Sequence, residues 1–120
     1  MFAFQGLDIY QMAKKLVIET YSLTNDFPCS EKYCLVSQIN KAAISVPSNI
    51  AESYGRKTVK DRQYFLNIAR GSLFELICQM EISYELSYIT KSQYENLEKI
   101  FKDLSIKISN YKKYLERNNY

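Results

Sequence analysis

The chain has 120 residues, 47% of them hydrophobic and 24% charged, which suits one folded domain around a single core. Three glycines and two prolines leave little material for the many tight turns of an all-β fold, so long helices are expected. A net charge of +3 permits polyanion binding without requiring it, and the absence of histidine argues against a Cys/His zinc site.

Four helices can be read from the spacing of apolar residues. The first spans Leu7 to Thr24, with Tyr10, Ala13, Leu16, Val17, Thr20 and Tyr21 on one stripe and Asp8 in its first turn, where a carboxylate suits the helix dipole. Asn25-Asp26-Phe27-Pro28 stops it, and Ser30 is placed to cap the next. The second runs from Glu31 to Tyr54. Its stripe of Leu35, Ile39, Ala42, Ala43, Val46, Ile50 and Tyr54 continues across Pro47, which predicts one helix kinked at Pro47. Ser48 or Asn49 could serve the backbone groups freed there. Gly55 is expected to end this helix in a left-handed conformation.

Thr58 is the predicted N-cap of a third helix, Val59 to Ser87. One seam on it holds Phe65, Ala69, Ser72, Leu76, Gln79, Ser83 and Leu86; a second holds Leu66, Leu73, Ile77, Met80, Tyr84 and Tyr88. Two apolar stripes need more cover than one neighbour provides. The second stripe, Leu66, Leu73, Ile77, Met80 and Tyr84, therefore has two readings: centre of the bundle core, or oligomer interface. The fourth helix follows Thr90, Lys91 to Glu116, with Tyr94, Leu97, Ile100, Phe101, Leu104, Ile108, Tyr111 and Leu115 inward and the tail from Arg117 to Tyr120 frayed. Short connections between four helices predict one all-α domain, 1–120, an antiparallel up-and-down four-helix bundle.

Chemistry is sparse. There is no histidine to act as a base, no G-x-S-x-G and no glycine-rich phosphate loop, so neither an enzyme nor a cofactor or metal site is expected. The basic segment is more informative. Between Lys41 and Arg70 lie six cations (Lys41, Arg56, Lys57, Lys60, Arg62, Arg70) and two anions (Glu52, Asp61). Arg56, Lys57, Lys60, Arg62 and Arg70 are the candidate phosphate contacts, with Tyr54 and Tyr64 beside them to stack on bases. The plain alternative is a solvated surface that keeps the protein soluble. Asn49, Glu52 and Arg56 share a helical face; a structural network joined by Arg70 and Glu75 is preferred there over a small polar pocket or nucleotide contact. Small residues at Ala51 and Gly71-Ser72 suggest close backbone approach.

Cys29, Cys34 and Cys78 are odd in number and expected to be reduced, packed as small apolar residues in a cytoplasmic protein. The opening MFAFQGLDIYQMAKK has no signal-peptide pattern, and no apolar run is long enough for a membrane span.

The segment AAISVPSNIAESYGR (Ala42 to Arg56), followed by FLNIARGSLFEL (Phe65 to Leu76), resembles the four-helix-bundle proteins named for intervening sequences in bacterial 23S rRNA genes. The likeness extends from LDIYQMAKKL (Leu7 to Leu16) to the last helix. Ser53 departs from the glycine that members usually carry. The resemblance implies a left-handed bundle that assembles as a homopentamer. One branch, the accessory variability proteins of diversity-generating retroelements, is basic, binds nucleic acid and works with a reverse transcriptase. The family name records genomic location and says little about rRNA binding. The expectation is a homo-oligomer binding structured RNA or DNA through its basic turn; the alternative is a protein-interaction scaffold.

Overall fold

The computed structural model describes residues 1–118. Four α-helices, α1 (Asp8–Thr24), α2 (Leu35–Tyr54), α3 (Val59–Glu85) and α4 (Lys91–Arg117), account for most of the chain, and no strand occurs among the described residues. Each packs against its sequence neighbours, α1 also meets α4, and the diagonal pairs show no close backbone approach among the described residues. This is the ring of an up-and-down four-helix bundle. At 1.5 Å per residue the 27-residue helices are about 40 Å long, which sets the long axis of the 49 × 24 × 23 Å molecule.

The core follows the predicted stripes with local shifts. Ile39, Ala42, Ala43, Val46 and Ile50 of α2 are buried in one cluster with Leu66, Ala69, Leu73, Leu76 and Met80 of α3 and Leu97, Phe101, Leu104 and Ile108 of α4. On α1 the stripe turns by one position. Ile9, Ala13, Leu16, Thr20 and Thr24 are buried, Tyr10 and Val17 are half-buried, and Tyr21 is exposed. At the end of α2, Ser53 takes the buried place expected for Tyr54.

The α1–α2 connection differs from expectation. Cys29–Glu31 forms a separate 3₁₀ turn and α2 begins at Leu35, because Cys34 (φ −117, ψ −100) breaks the helical path; no side chain caps that start, Ser30 included. Glu31 is used elsewhere: its carboxylate accepts a hydrogen bond of 2.8 Å from the Tyr88 hydroxyl, tying the two connections at this end together. All three cysteines are exposed and free, so they are not core packing.

The helix continues through Pro47. Asn49 Nδ2 donates to the Ser45 carbonyl (2.8 Å) and to Ser45 Oγ (3.0 Å), while Ser45 Oγ meets Ser72 Oγ at 2.7 Å and joins α2 to α3. Close approach is thus at Ser72. Gly71 beside it faces solvent, and a Cβ there would meet nothing within 4 Å.

Thr58 and Thr90 cap their helices as their sequence positions indicate. Thr58 Oγ1 accepts from the Asp61 amide, and Thr90 forms a capping box with Gln93. A short 3₁₀ turn, Ala3–Gly6, precedes α1. Of the tail expected to fray, Arg117 closes α4 and Asn118 follows it as the C-cap, its amide bonded to the Tyr114 carbonyl; Asn119 and Tyr120 lie outside the described residues.

Candidate nucleic-acid interface

Gly55 ends α2 with an ordinary right-handed backbone (φ −74), so the turn needs no left-handed glycine. Side chains hold it instead. Ser53, buried at the end of α2, donates from Oγ to the Arg62 carbonyl at 2.8 Å. Where relatives are expected to carry glycine, serine supplies a clamp between α2 and α3. Arg62 Nε donates in turn to the Arg56 carbonyl at 2.7 Å, and its guanidinium lies 5.7 Å from the Tyr54 ring. Arg56 pairs with Glu52, as their spacing indicated, and stacks over Phe65 at 4.5 Å.

The five predicted contact residues therefore separate into three kinds. Arg56 and Arg62 are engaged in building the turn. Lys57 and Lys60 are exposed and form no ion pair among the described residues. Arg70 sits about 15 Å further along α3 than Lys60, half-buried with its guanidinium 4.7 Å over Phe74, so it is not brought to the turn. The expected network of Arg70 and Glu75 with Glu52 and Arg56 does not form.

Leu66, Leu73 and Met80 have no exposed surface, while Ile77 and Tyr84 are half-buried. Leu66, Leu73 and Met80 thus follow the core reading of this stripe and not the interface one, spent inside the bundle between α2 and α4, while Ile77 and Tyr84 keep part of their surface. The accessible apolar surface lies next to it. Phe74, Ile77, Phe101 and Ile106 line a groove of about 380 Å³ between α3 and α4, with Glu98 and Lys102 at its margin.

Antiparallel packing adds residues that the local sequence did not point to. The Gln63 amide donates to the Lys112 carbonyl (3.3 Å) and to Glu116 (2.9 Å), and Lys112 meets Asn67, so the end of α4 lies beside the start of α3. Lys112, Lys113 and Arg117 thereby join the basic turn. The start of α1 is here too, with Asp8 paired to Lys107 at 2.9 Å. Within about five residues of the helix ends, seven cations (Arg56, Lys57, Lys60, Arg62, Lys112, Lys113, Arg117) share this end with four carboxylates (Asp8, Glu52, Asp61, Glu116). At the opposite end, six carboxylates (Glu19, Asp26, Glu31, Glu81, Glu85, Glu95) outnumber two lysines (Lys32, Lys91). The bundle is electrically polar along its axis. The signal in the sequence was YKKYLER (Tyr111 to Arg117), given an up-and-down order that returns α4 to this end.

Aromatic rings underlie the basic end. Phe4 of the N-terminal turn packs edge-on against Tyr10 at 5.0 Å and lies 6.4 Å from Tyr54. Burial pushes the Tyr111 phenol up, against the opposing pull of the Arg62 guanidinium. Among the described residues no cluster of three metal-ligating side chains occurs, and no helix is long and apolar enough to cross a membrane.

The model of the 23S rRNA-intervening sequence protein family matches residues 5–110. A solved structure from Bacteroides thetaiotaomicron, a protein of unknown function from the S23 ribosomal protein family, is 21% identical and superposes with a TM-score of 0.81. The match covers 88% of this chain and 95% of that one, and at this identity it speaks for the fold alone. No curated protein matches the chain. With the family model spanning most of the four helices, the chain belongs to the 23S rRNA-intervening sequence protein family.

Proposed function

We propose that this protein is a non-enzymatic, homo-oligomeric helical bundle that binds RNA or DNA, without base-specific readout, through the basic end of the bundle. The observation that carries the reading is the axial separation of charge. A polyanion is drawn to the end bearing Lys57, Lys60, Lys113 and Arg117 and repelled from the carboxylate-rich end, so the field orients the encounter as well as strengthening it. Lysine and arginine at a surface position phosphates and do not read bases. Oligomerisation multiplies the effect, because several basic ends on one assembly add their fields.

Fluorescence anisotropy with labelled RNA, at low and at moderate salt, tests this. Binding is expected to weaken steeply with salt, and Lys57→Glu/Lys60→Glu is expected to weaken it at least about tenfold at low salt. Absence of binding at low salt, or a double variant that binds like the parent, overturns the reading.

A second reading, a scaffold for another protein, is favoured by one observation: the apolar groove between α3 and α4, where Phe74 and Ile106 are 46% and 60% exposed. A pull-down that recovers a defined protein and no nucleic acid supports it.

A further inference from the structure

Three aromatic pairs at the basic end share one construction: an exposed outer ring backed by a half-buried inner one. Phe2 (74% exposed) stacks on Phe4 at 6.1 Å. Tyr64 (60%) stands edge-to-face with Phe65 at 5.1 Å, and Tyr114 (51%) stacks on Tyr111 at 6.0 Å. Tyr54, also exposed, carries the Arg62 guanidinium on its ring. The pairs elsewhere are built differently. Phe27–Tyr88 and Tyr84–Tyr94 have no exposed member, and the exposed Tyr21, Tyr33 and Phe74 have no ring behind them among the described residues. Backed, outward-facing rings thus coincide with the cation-rich end and are absent from the acidic one.

Such rings add nothing to the core with their outer faces, but they suit one ligand chemistry. An unpaired base offers a flat π-face to stack on, whereas bases within a duplex hide theirs against one another. The inner rings hold the outer ones in place, which lowers the ordering cost when a base stacks. Lys60 and Tyr64 are one helical turn apart on α3, and Tyr114 and Arg117 likewise on α4 with Lys113 next in sequence, so Tyr64 and Tyr114 each have a phosphate-binding cation close by.

Building on the nucleic-acid reading above, we infer that the ligand is the unpaired part of a nucleic acid, a single strand or a loop, with bases stacked on Tyr64, Tyr114 and Phe2 and phosphates on Lys57, Lys60 and Lys113. Charge alone makes the opposite prediction, since a duplex has the higher charge density.

The test is an anisotropy titration of the full chain with an unstructured pyrimidine strand of about 12 nucleotides and with a duplex of the same length. The strand is expected to bind at least about tenfold tighter than the duplex, and Tyr64→Ala/Tyr114→Ala to remove about tenfold or more of that affinity while leaving duplex binding unchanged. Both side chains are exposed, so circular dichroism of the variant should match the parent. The chain has no tryptophan, so tyrosine emission reports stacking directly: the strand is expected to quench it, and the variant to lose part of the quench. A duplex bound as tightly as the strand, or a double variant that binds the strand like the parent, overturns the stacking inference and leaves polyanion binding standing. Failure to bind either nucleic acid at low salt overturns both.

Discussion

Ser87 shows how a single residue carries a conformation suited to another. Its φ of 63 places it in the left-handed region at the end of α3, where the Ser87 amide bonds the Tyr84 carbonyl and the Tyr88 amide reaches back to Ser83. This is the Schellman closure, whose left-handed position is usually glycine. Ser87→Gly is expected to raise stability by about 0.5–1 kcal/mol, read from a thermal or urea melt. Gly71 is the converse, a glycine inside α3 with open space around its absent side chain, and Gly71→Ala is expected to stabilise by about 0.5–1 kcal/mol. Loss of stability on that change would mean that a neighbouring subunit occupies the space. Ser53 lies on a tighter path: Ser53→Ala removes the bond to the Arg62 carbonyl and should cost about 1 kcal/mol. These three positions were poorly legible in the sequence, because backbone torsion and local clearance are set by how the turns meet.

At the scale of elements, the two connections at the acidic end are fastened by Tyr88 and Glu31. The hydrogen bond to Glu31 is the main reason that the Tyr88 phenol is held above its ordinary 10.0; burial chiefly raises Tyr94 and Tyr111. An acid whose pKa is higher folded than unfolded makes the unfolded chain release its proton first as pH rises. Stability should therefore hold up to about pH 10 and decline above it. Tyr88→Phe should make that decline shallower, which a circular dichroism titration can read. Helix identity was legible because apolar period and capping threonines agree at Thr58 and Thr90. The start of α2 was not: Glu31 looks helical locally, but its partner is 57 residues away in sequence.

For the whole molecule, the second stripe of α3 illustrates a limit of pattern reading. Leu66, Leu73 and Met80 could face α4 or another subunit with the same spacing, and only the packed ring of helices assigns them to the core. The exposed groove of Phe74, Ile77 and Ile106 is the surface to probe for assembly. Light scattering should give a multiple of 14.1 kDa, and Phe74→Glu/Ile106→Glu should shift the mass downward while leaving helicity intact. A monomeric parent at micromolar concentration would remove the oligomer from the proposal.

Periodicity and capping by themselves determined the four helices, their antiparallel order and the passage through Pro47, because each depends on contacts within a few residues or on short connections. The turn from Arg56 to Lys60 was also visible as a basic cluster. Tertiary packing decided the rest of the candidate site. It withdrew Arg70 along the helix, engaged Arg56 and Arg62 in holding the turn, and brought in Lys112, Lys113, Arg117, Phe2 and Tyr114. Those residues lie far from the turn in the chain, and their juxtaposition follows from the axis and length of each helix, which a linear pattern does not contain.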